Sequence, residues 1–159
     1  MRSVVLGLAG LMAVAVPASA HETTARPAQE ASLPVAARGA AAVVDAFHAA
    51  LHRGDTRAAA SLLADDALIF ESGGAERSKA EYAAHHLPAD AEFAKVVSSS
   101  VTRRSGYSDG PLAWIATEGR TTGSYKGKAL DMTTTETMIL RRAGLEWKIV
   151  HIHWSSGKP

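Results

Sequence analysis

From residue 93 to residue 155 the chain is written largely in two-residue alternation, and that stretch limits the fold more than anything else in the sequence. Segments 93–104, 112–122, 130–142 and 145–155 are rich in Val, Ile, Ser and Thr, and the β-branched residues among them suit a pleated, half-covered surface. Turn-forming stretches separate them: 105–111 with Gly106, Gly110 and Pro111, 123–128 with Gly123 and Gly127, and a tight Ala143-Gly144. Long strands joined by short turns are antiparallel neighbours, so the sequence predicts a meander of four strands. The apolar face of such a sheet needs a cover.

The cover is written ahead of it. Across 35–53, Val43 or Val44, Phe47 and Leu51 recur at three- and four-residue steps, one apolar stripe of a helix. Gly54 is placed to stop that helix and Asp55 to cap a second one over 56–63, which buries Leu62 and Leu63. A short strand at 67–71 and a Ser72-Gly73-Gly74 turn come next. Ser78-Lys79-Ala80-Glu81 has the form of a capping box and opens a third helix. Pro88 is expected to end it by Leu87. Three helices and then a meander predict an α+β domain with helices on one face of a curved sheet.

The start of the chain reads as an export signal. Arg2 precedes an uncharged apolar run from Val4 to Val16, Pro17 breaks it, and Ala18-Ser19-Ala20 is a small-residue cleavage pattern. The run is shorter than the roughly 20 residues needed to span a bilayer. Residues 1–20 are therefore expected to be a cleaved signal peptide, 21–34 a flexible leader, and 35–159 the domain. The protein is expected to be periplasmic or secreted, with no membrane attachment after cleavage. There is no cysteine, which excludes thiol catalysis, thiolate metal sites and disulfide staples. Without Arg2, basic and acidic residues balance, so no electrostatic footprint for nucleic acid is present. No GxSxG elbow or phosphate-cradling glycine loop appears.

Several words of the chain carry a resemblance: the Gly54-Asp55 break, Glu136-Thr137, Arg141-Arg142 with Gly144 after them, and above all Trp147-Lys148-Ile149-Val150-His151-Ile152-His153. Over about 36–156 the chain resembles the nuclear transport factor 2-like superfamily, nearest to SnoaL-like small proteins and kinase association (hub) domains. The resemblance implies a cone, a bent antiparallel sheet wrapped around helices, enclosing a deep pocket and commonly dimeric. It fixes no single activity, since isomerases, dehydratases, hydrolases and non-enzymes share the fold.

Strict alternation would divide the last strand into Trp147, Ile149, His151 and His153 on one face and Lys148, Val150, Ile152 and Trp154 on the other. Both faces are partly apolar, so a homodimer is expected across the first of them. The hub resemblance turns the second face to the pocket, along with Ala116 and Met138 and their alternation partners Trp114, Glu118, Thr134 and Glu136. The hub domain has arginines at the positions of Ala116, Met138 and Trp154. Their loss here implies an apolar, acidic pocket lined by Tyr82, Trp114, Glu118, Glu136, Met138 and Trp154, suited to a small neutral or cationic organic ligand. Glu136, Glu118 and His86 are the expected proton-transfer residues, with burial raising the carboxyl pKa. The sequence leaves catalysis itself open and calls for no cofactor. The alternatives are a zinc or copper site at His151 and His153, or at the helical trio Asp45, His48 and His52, or at His21, and a non-catalytic protein-interaction domain.

Overall fold

The computed structural model describes residues 33–159; the expected signal peptide and most of the leader, His21 included, lie outside the described residues. A turn of 3-10 helix, Val35–Ala37, leads into α1 (Arg38–Arg53), α2 (Thr56–Ser61), β1 (Leu63–Glu71), β2 (Gly74–Glu76), α3 (Lys79–Ala84) and α4 (His86–Val96). The meander follows as β3 (Val97–Asp109), β4 (Leu112–Tyr125), β5 (Lys128–Ala143) and β6 (Glu146–Gly157). One open sheet of six strands runs β2-β1-β6-β5-β4-β3. Its pairs are antiparallel except β1 with β6, which are parallel. This is the expected α+β cone.

The local signals acted as their chemistry dictates. Gly54 ends α1 in the left-handed conformation, φ 68°, and its N–H bonds back to the carbonyls of Ala50 and Leu51. Asp55 caps α2 by accepting from Ala58 N–H at 2.9 Å. Ser78 caps α3 by accepting from Glu81 N–H, while the Glu81 carboxylate reaches back to Arg77 N–H rather than to Ser78 itself. Between the helices and the sheet lies a core built on Phe47, Leu63, Ile69, Tyr82, Ile115, Met138, Leu140, Ile149 and Ile152.

Two departures from the expected elements matter for the site. Pro88 does not stop a helix: the chain breaks at His85, φ −120° and ψ −69°, and restarts as α4 with Pro88 in its first turn. There a proline costs nothing, because the amide it lacks would have no intrahelical partner. Residues 93–96, expected in a strand, thus belong to α4. The second departure is strand phase. Ile139 pairs with His151 but Leu140 pairs with Ile149, leaving Val150 as a bulge. One extra residue moves everything beyond it to the opposite face. Trp147 and Ile149 are consequently buried inside together with Ile152, Trp154 is partly buried on the same face, and His151 and His153 stay outside. A similar slip at Thr102, between Val101 and Arg103, resets β3.

Candidate functional site

The register of the sheet assembles one row of side chains across five strands. Glu71 on β1 stands beside Trp154 on β6, Trp154 beside Glu136 on β5, Glu136 beside Thr117 on β4, and Thr117 beside Arg104 on β3. All five line a cavity of about 490 Å³, a size typical of small-molecule sites. Asp45, His48 and His52 reach it from α1, and Asp90 and Phe93 from α4.

Glu136 is the centre of the row and is 8% exposed. Its Oε2 accepts from His48 Nε2–H at 2.8 Å and from Trp154 Nε1–H at 2.7 Å. Its Oε1 is buried and has no partner, alone among the buried side-chain polar atoms of the described residues. Burial pushes the Glu136 pKa up, but the His48 bond and charge, the Trp154 bond and the Arg104 charge outweigh it, and the carboxyl is held below its ordinary value. The rise expected from burial alone is therefore corrected: donors, not the apolar surroundings, decide the sign. With Nε2–H engaged, a neutral His48 keeps its acceptor lone pair on Nδ1. Next along the row, Arg104 donates to Thr117 Oγ1 at 3.2 Å and to Asp45 Oδ1 at 2.6 Å.

The opposite end is organised differently. Tyr82, fully buried at the α3–α4 junction, donates its hydroxyl to Asp90 Oδ2 at 2.6 Å. Burial raises the Asp90 pKa, against the Tyr82 bond and the His86 charge. Desolvation along the cavity wall, followed by the Asp90 charge, raises Glu71 as well, although its side chain reaches solvent. Burial and Asp90 push the Tyr82 phenol far up, so it remains a donor. Among the described residues neither Asp90 nor Glu71 has a lysine or arginine partner; the nearby His86 is bonded to the buried Glu76.

Of the residues expected from sequence, Glu136 and Trp154 face the cavity together. Met138 is on the inner face but sealed in the core, and Tyr82 acts on the cavity through Asp90. Trp114, Ala116 and Glu118 are corrected to the outer face, because Ile115 and Thr117 are the inward residues of β4. Glu118 is 58% exposed and lies 3.9 Å from Arg103. His86 is 61% exposed, points to Glu76 and does not line the cavity. The helical trio reaches the cavity, but each member has its own partner: Asp45 has Arg104, His48 has Glu136, and His52 Nδ1–H donates to Ala94 O. His151 Nδ1–H donates to Leu68 O, with the His153 ring 6.4 Å away. Among the described residues no group of three or more His, Asp or Glu side chains is disposed to hold a metal ion. Sequence reasoning missed Glu71, Asp90 and Arg104. Asp90 carried a usable signal, since a helix that restarts through Pro88 sets it over the pocket, eight residues after Tyr82.

A curved sheet closed by helices over a lined cavity defines a cone-type α+β protein of the NTF2-like fold. The chain belongs to the SnoaL-like domain family, which it matches over residues 40–158. It is similar to a candidate ketosteroid isomerase from Shewanella frigidimarina, at 36% identity and TM-score 0.73, over 78% of this chain and 100% of that one. It shares the fold of a candidate calcium/calmodulin-dependent kinase II association domain from Xanthomonas campestris, at 24% identity and TM-score 0.66, over 83% and 96% of the two chains. A candidate dehydratase of the NTF2-like family from Streptomyces avermitilis has the same fold at 17% identity and TM-score 0.61, over 76% and 95%. No curated protein matches.

Proposed function

We propose that this chain is an exported protein that binds a small neutral or cationic organic molecule in its cone and moves a proton on it through His48 and Glu136. The observation that carries this is Glu136, a buried carboxylate on the cavity wall with one oxygen held by His48 and Trp154 and the other without a partner. A buried acceptor left open costs stability unless something donates to it; Oε1 is shut off from solvent, so a ligand hydroxyl or amine meets that need by drawing the carboxylate toward the cavity. Glu136 fixes His48 as the Nε2–H tautomer, leaving Nδ1 to accept a proton from a ligand carbon or oxygen. The imidazolium so formed sits beside an anion that stabilises it. Relatives named as an isomerase and a dehydratase agree with such chemistry.

The test begins with binding. Neutral and cationic aromatic compounds should raise the melting temperature, because anything that binds only the native state stabilises it. A broad panel with no stabilising compound would end this reading. For the compounds that bind, NMR in deuterium oxide should show exchange of an acidic C–H, lost in His48→Gln while binding persists. Export is tested by N-terminal sequencing of the protein from its native compartment, which should begin at His21. Assembly as a homodimer is also proposed, on the outer sheet face where Leu68, His151, Ile139, Trp114 and Tyr107 fall in register and Trp114 is 41% exposed. Light scattering should give twice the monomer mass, and Trp114→Glu should halve it.

A further inference from the structure

The row across the sheet is electrically lopsided. At its β3 end Arg104 donates through Nη1 to Asp45 and through Nε to Thr117. In the middle, Glu136 has His48 opposite it. At the β1 end, Glu71 and Asp90 both line the cavity with no lysine or arginine to answer them, and Tyr82 supplies Asp90 with a neutral donor only. Between that end and Glu136 lies the Trp154 indole, in register with Glu71 on one side and Glu136 on the other. The Tyr82 ring is 6.4 Å from that indole, and Phe93 lines the same cavity from α4. Two acids near a cavity do not make a site by themselves. On the same row Glu136 lines the cavity with 9% of its side chain exposed, and its Oε1, shut off from solvent, has no partner.

We infer that the ligand carries an ammonium-type cation, seated between Glu71 and Asp90, with its apolar or aromatic body along Trp154 and Phe93 and a hydrogen-bond donor directed at Glu136. This rests on the reading of the cone as a small-molecule site and names the class of molecule it takes. An ammonium is the group that answers both carboxylates at once, and an indole beside it attracts the same charge through its ring face. A carboxylate ligand would meet Glu71 and Asp90 with like charge. The arrangement therefore selects by charge at one end and by donor placement at the other.

The experiment uses three ligands of one shape: 2-phenylethylamine, 2-phenylethanol and 3-phenylpropionate, with the corresponding two-ring naphthyl series, titrated calorimetrically at neutral pH. The amine should bind about tenfold more tightly than the alcohol, and the carboxylate should not bind measurably. Glu71→Gln and Asp90→Asn should each remove most of the amine's advantage while leaving alcohol affinity unchanged. The asparagine keeps an acceptor for the Tyr82 hydroxyl, and should that variant fail to fold, Glu71→Gln on the cavity rim carries the result. Glu118→Gln on the outer face should change nothing. Equal affinity of amine and alcohol, or an amine preference that survives both substitutions, overturns the cation seat and leaves the small-molecule reading standing. Binding by none of the compounds overturns both.

Discussion

Glu136 and Asp90 are carboxylates in the same cavity, both largely buried, and their pKa values move in opposite directions. Burial pushes each upward and is the first influence on each. What differs is the company. Glu136 accepts from an imidazole and an indole and feels Arg104; Asp90 accepts from a phenol and has Glu71 beside it. The lesson is that burial does not set the state of a buried acid. The number and charge of the donors around it do. One end of the row is a completed network with a single open acceptor, while the other is a pair of acids met by the Tyr82 hydroxyl and the His86 charge but by no lysine or arginine among the described residues.

If that contrast is right, the largest effect comes from dismantling the completed end. Glu136→Ala strips His48 and Trp154 of their acceptor and should cost about 3 kcal/mol, on the order of 10 °C in melting temperature for a domain this size. The sign with pH follows from the lowered pKa. Folding holds Glu136 anionic, so its contribution is full above the ordinary glutamate value of 4.5 and lost as pH falls through the depressed folded value. The deficit of the alanine variant relative to the parent should thus shrink in acid. Thermal melts at neutral pH and below pH 4.5 check both points, and an unchanged melting temperature at neutrality would show that the network holds nothing together.

The parts of this arrangement that were legible in the sequence are those set by local chemistry. The stripe of α1, the Gly54 stop and the Asp55 and Ser78 caps follow from short-range preferences, and the structure places them where expected; the turns of the meander are tighter than expected, since residues 105–109 belong to β3 and 123–125 to β4. His48, Glu136 and Trp154 were recognisable as reactive or binding side chains, although His48 was assigned to a metal trio. Face assignment failed on β6, where one unpaired residue, Val150, intervenes and turns Trp147 and Ile149 inward. Alternation counts residues, and the bulge at Val150 adds one that alternation cannot see, because a bulge is decided by how the sheet must bend over its helices. On β4, which has no bulge, the phase was taken one residue out, so Trp114 and Glu118 were set in a pocket they do not touch. Glu71 gave no signal for another reason: it meets Asp90 only in the tertiary fold, where α3 packs on both β1 and α4.

A smaller effect tests the indole that joins the two ends. Trp154→Phe leaves an aromatic ring between Tyr82 and Glu136 but removes the N–H that donates to the carboxylate at 2.7 Å. A hydrogen bond to a charged acceptor at a buried site is worth about 2 kcal/mol. Urea denaturation should show a loss of that order, with the slope against denaturant unchanged, since the surface exposed on unfolding is nearly the same. Glu136 should also become easier to protonate, and a carbon-13 chemical-shift titration of its carboxyl should move to higher pH. A loss as large as that of Glu136→Ala would mean that His48 contributes little.

The smallest effect, and the sharpest on the comparison, is expected with its sign reversed. Asp90→Asn keeps an oxygen for the Tyr82 hydroxyl and removes one of the two like charges, so it should raise stability by up to about 1 kcal/mol at neutral pH, where Glu136→Ala lowers it. The pH dependence also reverses. The folded pKa of Asp90 lies above its ordinary 3.8, so ionising it opposes folding; that penalty is full above the raised folded value and disappears as pH falls toward 3.8. The advantage of the asparagine variant should therefore be greatest near neutrality and fade in acid, with Glu71→Gln showing a weaker version of the same trend because its side chain reaches solvent. Parallel melts across pH 4 to 8 provide the measurement. If Asp90→Asn instead lowers stability at neutral pH, the acid is answered by its neighbours after all, Tyr82 first and then His86, and the two ends of the row are alike.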